Sequence, residues 1–207
     1  MLLAKKGVLV VLSGPAGSGK GTVVQEVLKS DPHFTVSVSA TTRAPRVGEI
    51  DGVHYNFLTK EAFEAKIAAG GMMEYASYCG NYYGTDRAWV ETKLAEGRHV
   101  ILEIEVQGAL QIKAQNPDAV LMMVLPPDFA TLEARLRGRG TNTEDDIQNR
   151  LARSREELAL LPQYDYVIEN VSGGMREAAE RLIEIVRCEQ HRIARNNGIF
   201  ARFYGEA

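Results

Sequence analysis

Short apolar runs separated by amphipathic stretches recur along most of this 207-residue chain. The run at residues 8–12 is β-branched and closed by glycine, so it predicts a buried strand. Residues 99–104 and 119–125 have the same character, and a weaker run covers 165–168. Continuous apolar runs of this length are typical of strands that are covered on both faces, as in a parallel sheet.

Between these runs, apolar residues recur at helical spacing. Val23, Val24, Val27 and Leu28 share one face of a helix that follows the first strand. Further helices are predicted over residues 86–96, 106–114, 128–137, 143–160 and 175–195. The alternation of strand and helix predicts an α/β fold in which helices cover both faces of a parallel sheet.

Residues 36–92 break this rhythm. They are rich in glycine and tyrosine, and short strand candidates at 53–57, 72–78 and 82–84 flank one helix at 60–69. We interpret this segment as a small antiparallel lobe inserted into a core of about residues 1–35 and 93–207. Residues 137–143 are predicted to form a mobile loop between two helices, within a short lid of about 138–155.

The segment between the first strand and its helix is rich in glycine and contains one lysine. It comprises Gly14, Pro15, Ala16, Gly17, Ser18, Gly19, Lys20, Gly21 and Thr22. Glycines let several backbone N–H groups point at one anion, the helix start adds its positive end, and the lysine suits β/γ-phosphates. A glycine turn that merely caps a helix has the same composition, but strand, loop and helix together favour a phosphate-binding loop.

Gly21 departs from the usual phosphate-loop pattern, because it stands where Ser or Thr is expected and Thr22 comes one position later. A hydroxyl directly after the lysine normally contacts Mg²⁺. We therefore expect the ion to depend on nucleotide oxygens, water and carboxylates.

Composition narrows the functional classes. The chain is 45% hydrophobic and 25% charged, with a net charge of −3, so it lacks the basic character of proteins that bind nucleic acids or anionic membranes. No apolar run approaches a membrane span, and the start of the chain does not resemble a signal peptide. Cys79 and Cys188 are far apart, which predicts two free thiols and a cytoplasmic location.

Arginines form two clusters. Arg43 and Arg46 flank Pro45, while Arg135, Arg137 and Arg139 lie near a predicted helix end, with Arg150 further on. Alone, the first cluster equally fits a solvated turn, and the second fits cations at a helix C-terminus. Together with the glycine loop they indicate phosphoryl transfer, because cations stabilise the charge spread between donor and acceptor.

The sequence resembles the guanylate kinase family. The likeness rests on Ser37–Arg46, Gly48-Glu49, Asp51-Gly52, Tyr55–Phe57, Glu74, Gly80–Gly84, Glu103–Gly108, Arg135–Thr141 and Arg150, and it runs from about residue 7 to 187. It implies a three-layer P-loop kinase fold with a GMP-binding lobe at about 36–92 and the short lid. It also implies transfer of the γ-phosphoryl group of MgATP to GMP or dGMP, directly and without a protein nucleophile.

The resemblance also implies residue roles. Ser39 and Glu74, helped by Thr85, would contact guanine, whose adjacent N1–H and 2-amino donors suit a carboxylate. Arg43, Arg46, Tyr55 and Tyr83 would hold the GMP phosphate, and Lys20, Arg135, Arg139 and Arg150 would act on the ATP phosphates. The family often has aspartates where this chain has Glu103 and Glu105. Glu105 is expected in the GMP site, and Mg²⁺ is expected mainly on nucleotide and water, with Glu103 nearby.

Two rival functions stay open at this point, and so does the role of the C-terminal helix. The chain could phosphorylate another nucleotide such as AMP or UMP, although Glu74 with Ser39 disfavours this. It could be a guanylate-kinase-like interaction module without catalysis, although Lys20 and the arginines disfavour that. The long C-terminal helix, with Leu182, Ile183, Val186 and Ile193, either packs on the core or helps to form a homodimer.

Overall fold

The structure is a computed structural model that describes residues 6–138 and 143–205. The strands in this part of the chain are β1 Leu9–Ser13, β2 Phe34–Val36, β3 Ala40–Thr41, β4 Asn56–Phe57, β5 Met72–Tyr78, β6 Asn81–Asp86, β7 His99–Glu103, β8 Val120–Leu125 and β9 Tyr166–Glu169. The helices are α1 Lys20–Ser30, α2 Lys60–Ala68, α3 Arg87–Ala95, α4 Val106–Gln115, α5 Phe129–Arg137, α6 Glu144–Leu158, α7 Met175–Gln190 and α8 Ile199–Tyr204, with 3₁₀ turns at Leu161–Gln163 and Ile193–Arg195.

Five parallel strands form the central sheet in the order β2-β7-β1-β8-β9. The predicted α/β class and parallel sheet are confirmed. The first strand of the sequence lies at the centre, and every side chain of β1 is buried because both faces of the sheet are covered. The carboxyl ends of all five strands therefore meet at one edge, where the glycine loop follows β1.

Helices cover the sheet on both sides, which gives three layers. On one face Val10 and Leu12 pack with apolar residues of α1 and α7. On the other face Leu9 and Val11 pack with residues of α3 and α4. Alternate residues of one strand thus enter two separate hydrophobic clusters, as the period-two geometry of a strand requires.

A second, four-stranded sheet lies within the inserted segment, in the order β4-β3-β6-β5. The prediction of an antiparallel sheet is wrong for one pair, because β3 and β4 run parallel, with Ala40 opposite Asn56. The chain that connects the two strands therefore returns to the end of the sheet at which β3 begins, so the two strands do not form a hairpin. Phe63 of α2 is fully buried with Ala40 and Met72 in the small core of this sheet.

The C-terminal helix is shorter than predicted. α7 ends at Gln190 rather than near residue 195, and a 3₁₀ turn follows. Leu182, Ile183 and Val186 pack on the core, whereas Ile193 is 73% exposed and does not share their face. No helix in the described ranges is long and apolar enough to cross a membrane.

Candidate active site

The glycine loop leaves the centre of the sheet between β1 and α1. Gly14 has a φ of 153°, and a Cβ there would lie 2.3 Å from the carbonyl oxygen of Val124, so the loop needs glycine to pass β8. Gly19 adopts the left-handed conformation, with a φ of 87°, immediately before α1. The loop thereby turns its chain into the helix N-terminus, which is the geometry of an anion-binding site.

Lys20 and Glu103 lie beside each other at the base of this loop. The Lys20 Nζ group donates a hydrogen bond to the carbonyl oxygen of Gly14, which folds the lysine back over the loop. A Cβ on Gly21 would lie 3.7 Å from Glu103 Oε1, so the glycine leaves room for this carboxylate. Loss of water raises the pKa of Glu103, and the Lys20 charge opposes the shift. Lysine and carboxylate therefore both face the place where a nucleotide phosphate would bind.

Arg135 reaches the loop from α5. Its guanidinium donates to the carbonyl oxygen of Asn170, at 2.8 Å, and more weakly to that of Ser18, at 3.4 Å. The Asn170 side chain also donates to the Ser18 carbonyl oxygen, at 2.8 Å. Asn170 was missed by the sequence analysis. Its position directly after β9, at the sheet edge where ligands bind in such folds, is the signal that could have found it.

A cavity of about 350 Å³ opens beside this cluster. That volume is in the range of small-molecule sites. Its lining residues are Gly17, Gly19, Thr22, Arg135, Asn170, Val171, Ser172, Gly173 and Met175.

Arg137 lies at the base of the predicted lid and pairs with Glu133 at 2.7 Å and with Glu144 at 2.5 Å. This joins the end of α5 to the start of α6, on either side of the predicted loop. Arg150 is exposed on α6. Arg139, expected to act on the ATP phosphates, lies outside the described residues, as does Thr141.

Arg43 and Glu49 form the centre of the second cluster, on the inserted sheet. Two guanidinium nitrogens of Arg43 donate to the two Glu49 oxygens, at 2.8 and 2.9 Å, and one also donates to the Ala44 carbonyl. The bidentate pair lowers the pKa of Glu49 to about 2, and the Arg46 backbone N–H adds a further hydrogen bond to that carboxylate. Because a guanidinium carries five N–H groups, the pair leaves others for a phosphate.

Aromatic rings position Arg43. Its guanidinium carbon lies 5.2 Å from the ring centre of Tyr55, and the Tyr55 and Tyr83 rings meet edge to face at 6.1 Å. Arg46 lies exposed at the same loop. The structure thus brings Arg43, Tyr55 and Tyr83, all predicted to bind one phosphate, to one place.

Glu74 is the buried acid of the inserted sheet, with only 7% of its surface exposed. It lies on β5 and accepts a hydrogen bond of 2.7 Å from the Thr85 hydroxyl on β6. A Cβ on Gly108 would lie 3.0 Å from Glu74 Oε2, so the carboxylate faces the first turns of α4 in the core. Burial raises its pKa, and the Thr85 hydrogen bond opposes this. A carboxylate in this setting needs donors, and a nucleobase edge supplies them.

Two other predicted GMP-site residues lie at the margins of this cluster. Ser39 is half-buried directly before β3, and its carbonyl oxygen accepts a hydrogen bond from the Asn56 backbone, at 2.9 Å. Glu105 is exposed just before α4 and pairs with Arg153 of α6, at 2.6 Å. That ion pair links the residue before α4 directly to α6, which lies mostly within the predicted lid.

The side chains near the loop show which protein groups could bind the expected Mg²⁺. In the described ranges, no three acidic, histidine or cysteine side chains converge as a metal-binding group. The Thr22 hydroxyl donates to the Gly19 carbonyl oxygen at 2.6 Å. A divalent ion at this site fits only if nucleotide oxygens and water supply most ligands, with Glu103 as the adjacent carboxylate.

Comparison with known proteins gives a consistent result. A family model described as "Guanylate kinase" matches residues 6–189. A guanylate kinase of Streptococcus thermophilus is 52% identical over 194 residues, which is 93% of this chain and 92% of the relative. One from Streptococcus mutans is 48% identical over 205 residues, covering 99% of this chain and 97% of the relative. The crystal structure of guanylate kinase from Anaplasma phagocytophilum superposes with a TM-score of 0.73 at 32% identity, covering 95% of this chain and 93% of its own. The chain belongs to the guanylate kinase family.

Proposed function

We propose that this chain transfers the γ-phosphoryl group of ATP, as its Mg²⁺ complex, to GMP or dGMP, giving ADP and GDP or dGDP. The observation that carries the choice of acceptor is the buried carboxylate of Glu74, oriented by Thr85. Guanine offers two adjacent donors, N1–H and the 2-amino group, to such an acceptor-only group. Adenine offers neither, so the buried carboxylate would keep only the Thr85 donor and would receive no hydrogen bond from these two base positions.

The acceptor phosphate is held by Arg43 and Arg46, with the Tyr55 and Tyr83 hydroxyls as neutral donors. Arg43 is already aimed by its bidentate pair with Glu49, and its other N–H groups bind the phosphate oxygens. We assign Ser39 to the guanine contact together with Glu74, and Glu105 to the part of the GMP site next to the core. A phosphate monoester dianion is itself a competent nucleophile, so the reaction needs no general base and proceeds by positioning and charge neutralisation.

The donor phosphates bind the backbone of the glycine loop at residues 14–22. Lys20 exchanges its contact with the Gly14 carbonyl for the β- and γ-phosphate oxygens, since a phosphate is the stronger acceptor for an ammonium group. Arg135 acts from α5, and Arg139 and Arg150 act from the lid when it closes. Closure excludes water and so prevents wasteful hydrolysis of ATP.

Magnesium reaches the site with ATP, and we assign its protein-side neighbour to Glu103. Glu103 would face the ion from the protein side, and the bound ion would supply neutralisation of the phosphate charge. The raised pKa of Glu103 reflects a carboxylate partly withdrawn from water, and a cation at this place would oppose that rise.

A coupled assay of ADP formation tests the proposal, with ATP and each of GMP, dGMP, AMP, UMP and CMP. We expect turnover with GMP and dGMP, and specificity constants at least about a hundredfold lower with the others. Turnover that favours AMP or UMP would identify another nucleoside monophosphate kinase. Absence of both turnover and ATP binding would support the non-catalytic module.

We further propose that ATP and GMP or dGMP are the working partners, in the cytoplasm, without nucleic acid or membrane. The net charge of −3 and the unpaired Cys79 and Cys188 support this. Because α7 buries its apolar face against the core, a homodimer would have to use a surface other than that helix face. Light scattering at assay concentration tests the oligomeric state.

A further inference from the structure

Asn170 connects three parts of the fold that are far apart in sequence. It follows β9 directly and is 5% exposed. Its backbone N–H donates to the Leu125 carbonyl oxygen at 2.7 Å, and its carbonyl accepts from Arg135 at 2.8 Å. Its main chain is therefore fixed at the end of β8 on one side and by α5 on the other, which leaves its side chain little freedom.

The side-chain amide of Asn170 meets the glycine loop at two points. Its Nδ2 donates to the Ser18 carbonyl oxygen at 2.8 Å, across 152 positions of sequence. A Cβ on Gly19 would lie 2.4 Å from the same nitrogen, so the amide occupies the space that any larger residue at 19 would need. The amide is thus packed directly against the peptide that joins Ser18 to Gly19.

The direction of that peptide matters for anion binding. In a planar trans peptide the C=O and the following N–H point in opposite directions. Holding the Ser18 carbonyl toward Asn170 therefore turns the Gly19 N–H to the other side, into the loop where a phosphate binds. If the peptide flipped, a carbonyl oxygen would face the phosphate and repel it.

We propose that Asn170 is a positioning residue, which fixes the orientation of the Ser18–Gly19 peptide and so sets the affinity of the loop for the ATP phosphates. This rests on the proposed function for the identity of the ligand. Arg135 contributes a second, longer hydrogen bond to the same carbonyl, but only the hydrogen bond from the asparagine amide is both short and buried.

Asn170→Ala is the first test. It removes the donor and leaves the buried Ser18 carbonyl with the weaker Arg135 contact alone. We expect KM for ATP to rise about tenfold and KM for GMP to change less than twofold, because the acceptor site is built on the other sheet. Calorimetric binding of a non-hydrolysable ATP analogue, without GMP, should weaken by the same factor.

Asn170→Asp keeps the side-chain size but places an acceptor against the Ser18 carbonyl, so its loss of analogue affinity should exceed that of the alanine variant. If the alanine variant does not fold, the aspartate variant decides by the same measurements.

The matched control is Asn196→Ala. Asn196 is 1% exposed and its amide also donates to backbone carbonyls, those of Gln190 and Arg192, both at 2.9 Å, but near the C-terminus. It should lower the melting temperature without changing KM for ATP. Equal increases in both KM values with Asn170→Ala, or an unchanged analogue affinity, would overturn the inference. If the wild-type chain binds the analogue but does not phosphorylate GMP, the proposed function fails while the binding comparison still decides the role of Asn170.

Discussion

The two proposed phosphate sites of this molecule are built in opposite ways. The glycine loop lies at the centre of a five-stranded sheet, and its orientation is fixed by backbone geometry and by a nearly fully buried asparagine. The Arg43 site lies on a small sheet with a minor hydrophobic core, and its geometry depends on an ion pair with Glu49 at the surface of the inserted segment. One site is made rigid by the fold around it, whereas the other is held by charges that a substrate can share.

This difference suggests a division of labour. A site made of backbone N–H groups cannot change its shape, but it binds the phosphate groups of any nucleoside triphosphate with the same geometry. A site of charged side chains on a small sheet can move with its sheet and can carry a base-reading group such as Glu74. We therefore expect substitutions at the loop to reduce turnover and substitutions on the inserted sheet to change acceptor selection.

The largest effect is expected from Lys20→Ala. The lysine charge matches the β- and γ-phosphate oxygens, so turnover should fall by about a hundredfold or more while the fold persists. Steady-state kinetics with GMP and a melting curve measure the two effects. Lys29→Ala, an exposed lysine of the same helix at 71% side-chain exposure, is the matched control and should keep wild-type turnover. A loss below about tenfold would mean that the loop does not act on ATP as assigned.

A pH series tests the core independently of catalysis. His99 lies buried at the start of β7, accepts a hydrogen bond of 3.1 Å from the Val8 N–H, and has a pKa lowered by burial to about 4. The unfolded chain takes up this proton near pH 6.5, and the folded chain only near pH 4, so stability is lost as pH falls between those values.

The free energy of unfolding should therefore decrease by about 2 kcal/mol between pH 7 and pH 5 from this group alone. Denaturant titrations of wild type and His99→Gln measure it, with the exposed His191→Gln as control. The Arg43 site should not respond in this range. The pKa of Glu49 is about 2, so its ion pair is present above the ordinary glutamate pKa and is lost only as pH falls toward 2. Identical pH dependence in wild type and His99→Gln would exclude a neutral buried His99 as the cause.

Glu74→Gln tests base selection. Glutamine keeps the size but presents an amide N–H₂ to one guanine donor, and a hydrogen bond to a charged group contributes about 1.5–3 kcal/mol. The ratio of specificity constants for GMP over AMP should fall by at least about tenfold. Activity with AMP should not fall in parallel, because adenine lacks both donors. Glu61→Gln, an exposed position of α2 in the same segment, should leave the ratio unchanged; an unchanged ratio in Glu74→Gln would mean that this residue does not read the base.

Arg43→Ala should give the smallest of these effects. The Arg43 side chain is 15% exposed, and Arg46, Tyr55 and Tyr83 remain to hold the phosphate when it is removed. A net loss of about 1 kcal/mol is therefore expected, so KM for GMP should rise about fivefold and KM for ATP less than twofold. Steady-state kinetics in which GMP and ATP are varied in turn give the two KM values. Arg181→Ala on α7 is the control with an exposed arginine. Equal changes in both constants would remove the distinction between a donor site on the core and an acceptor site on the inserted sheet.

The order of strands in the central sheet could only partly be anticipated. The apolar runs at 8–12, 99–104 and 119–125 were long enough to be recognised, and their parallel pairing followed from the helices between them. β2 and β3 were missed because they have only three and two residues, and each contains a threonine that interrupts any apolar run. The parallel pairing of β3 with β4 was also missed, because the pattern of apolar and polar residues does not show which path a loop takes between two strands.

The candidate site divides in the same way. Glycines, Lys20 and Arg43 are visible in the chain because their chemistry is tied to residue type and short spacing. Asn170 was not visible, since one asparagine after a short strand carries no motif, and its partner Ser18 is 152 positions away. Glu49 was quoted only as part of a family pattern, and its bidentate pairing with Arg43 appeared once the loop was folded.

By itself the sequence determined the α/β class, the phosphate loop and the guanylate kinase resemblance, because these depend on local periodicity and on residue types at fixed short spacing. Only the tertiary structure decided which groups are buried, which side chain holds the Ser18 carbonyl of the loop and which oxygen of Glu74 faces α4. Those properties depend on contacts between distant segments, and water exclusion at such contacts sets the pKa values and hydrogen-bond strengths on which the chemistry depends.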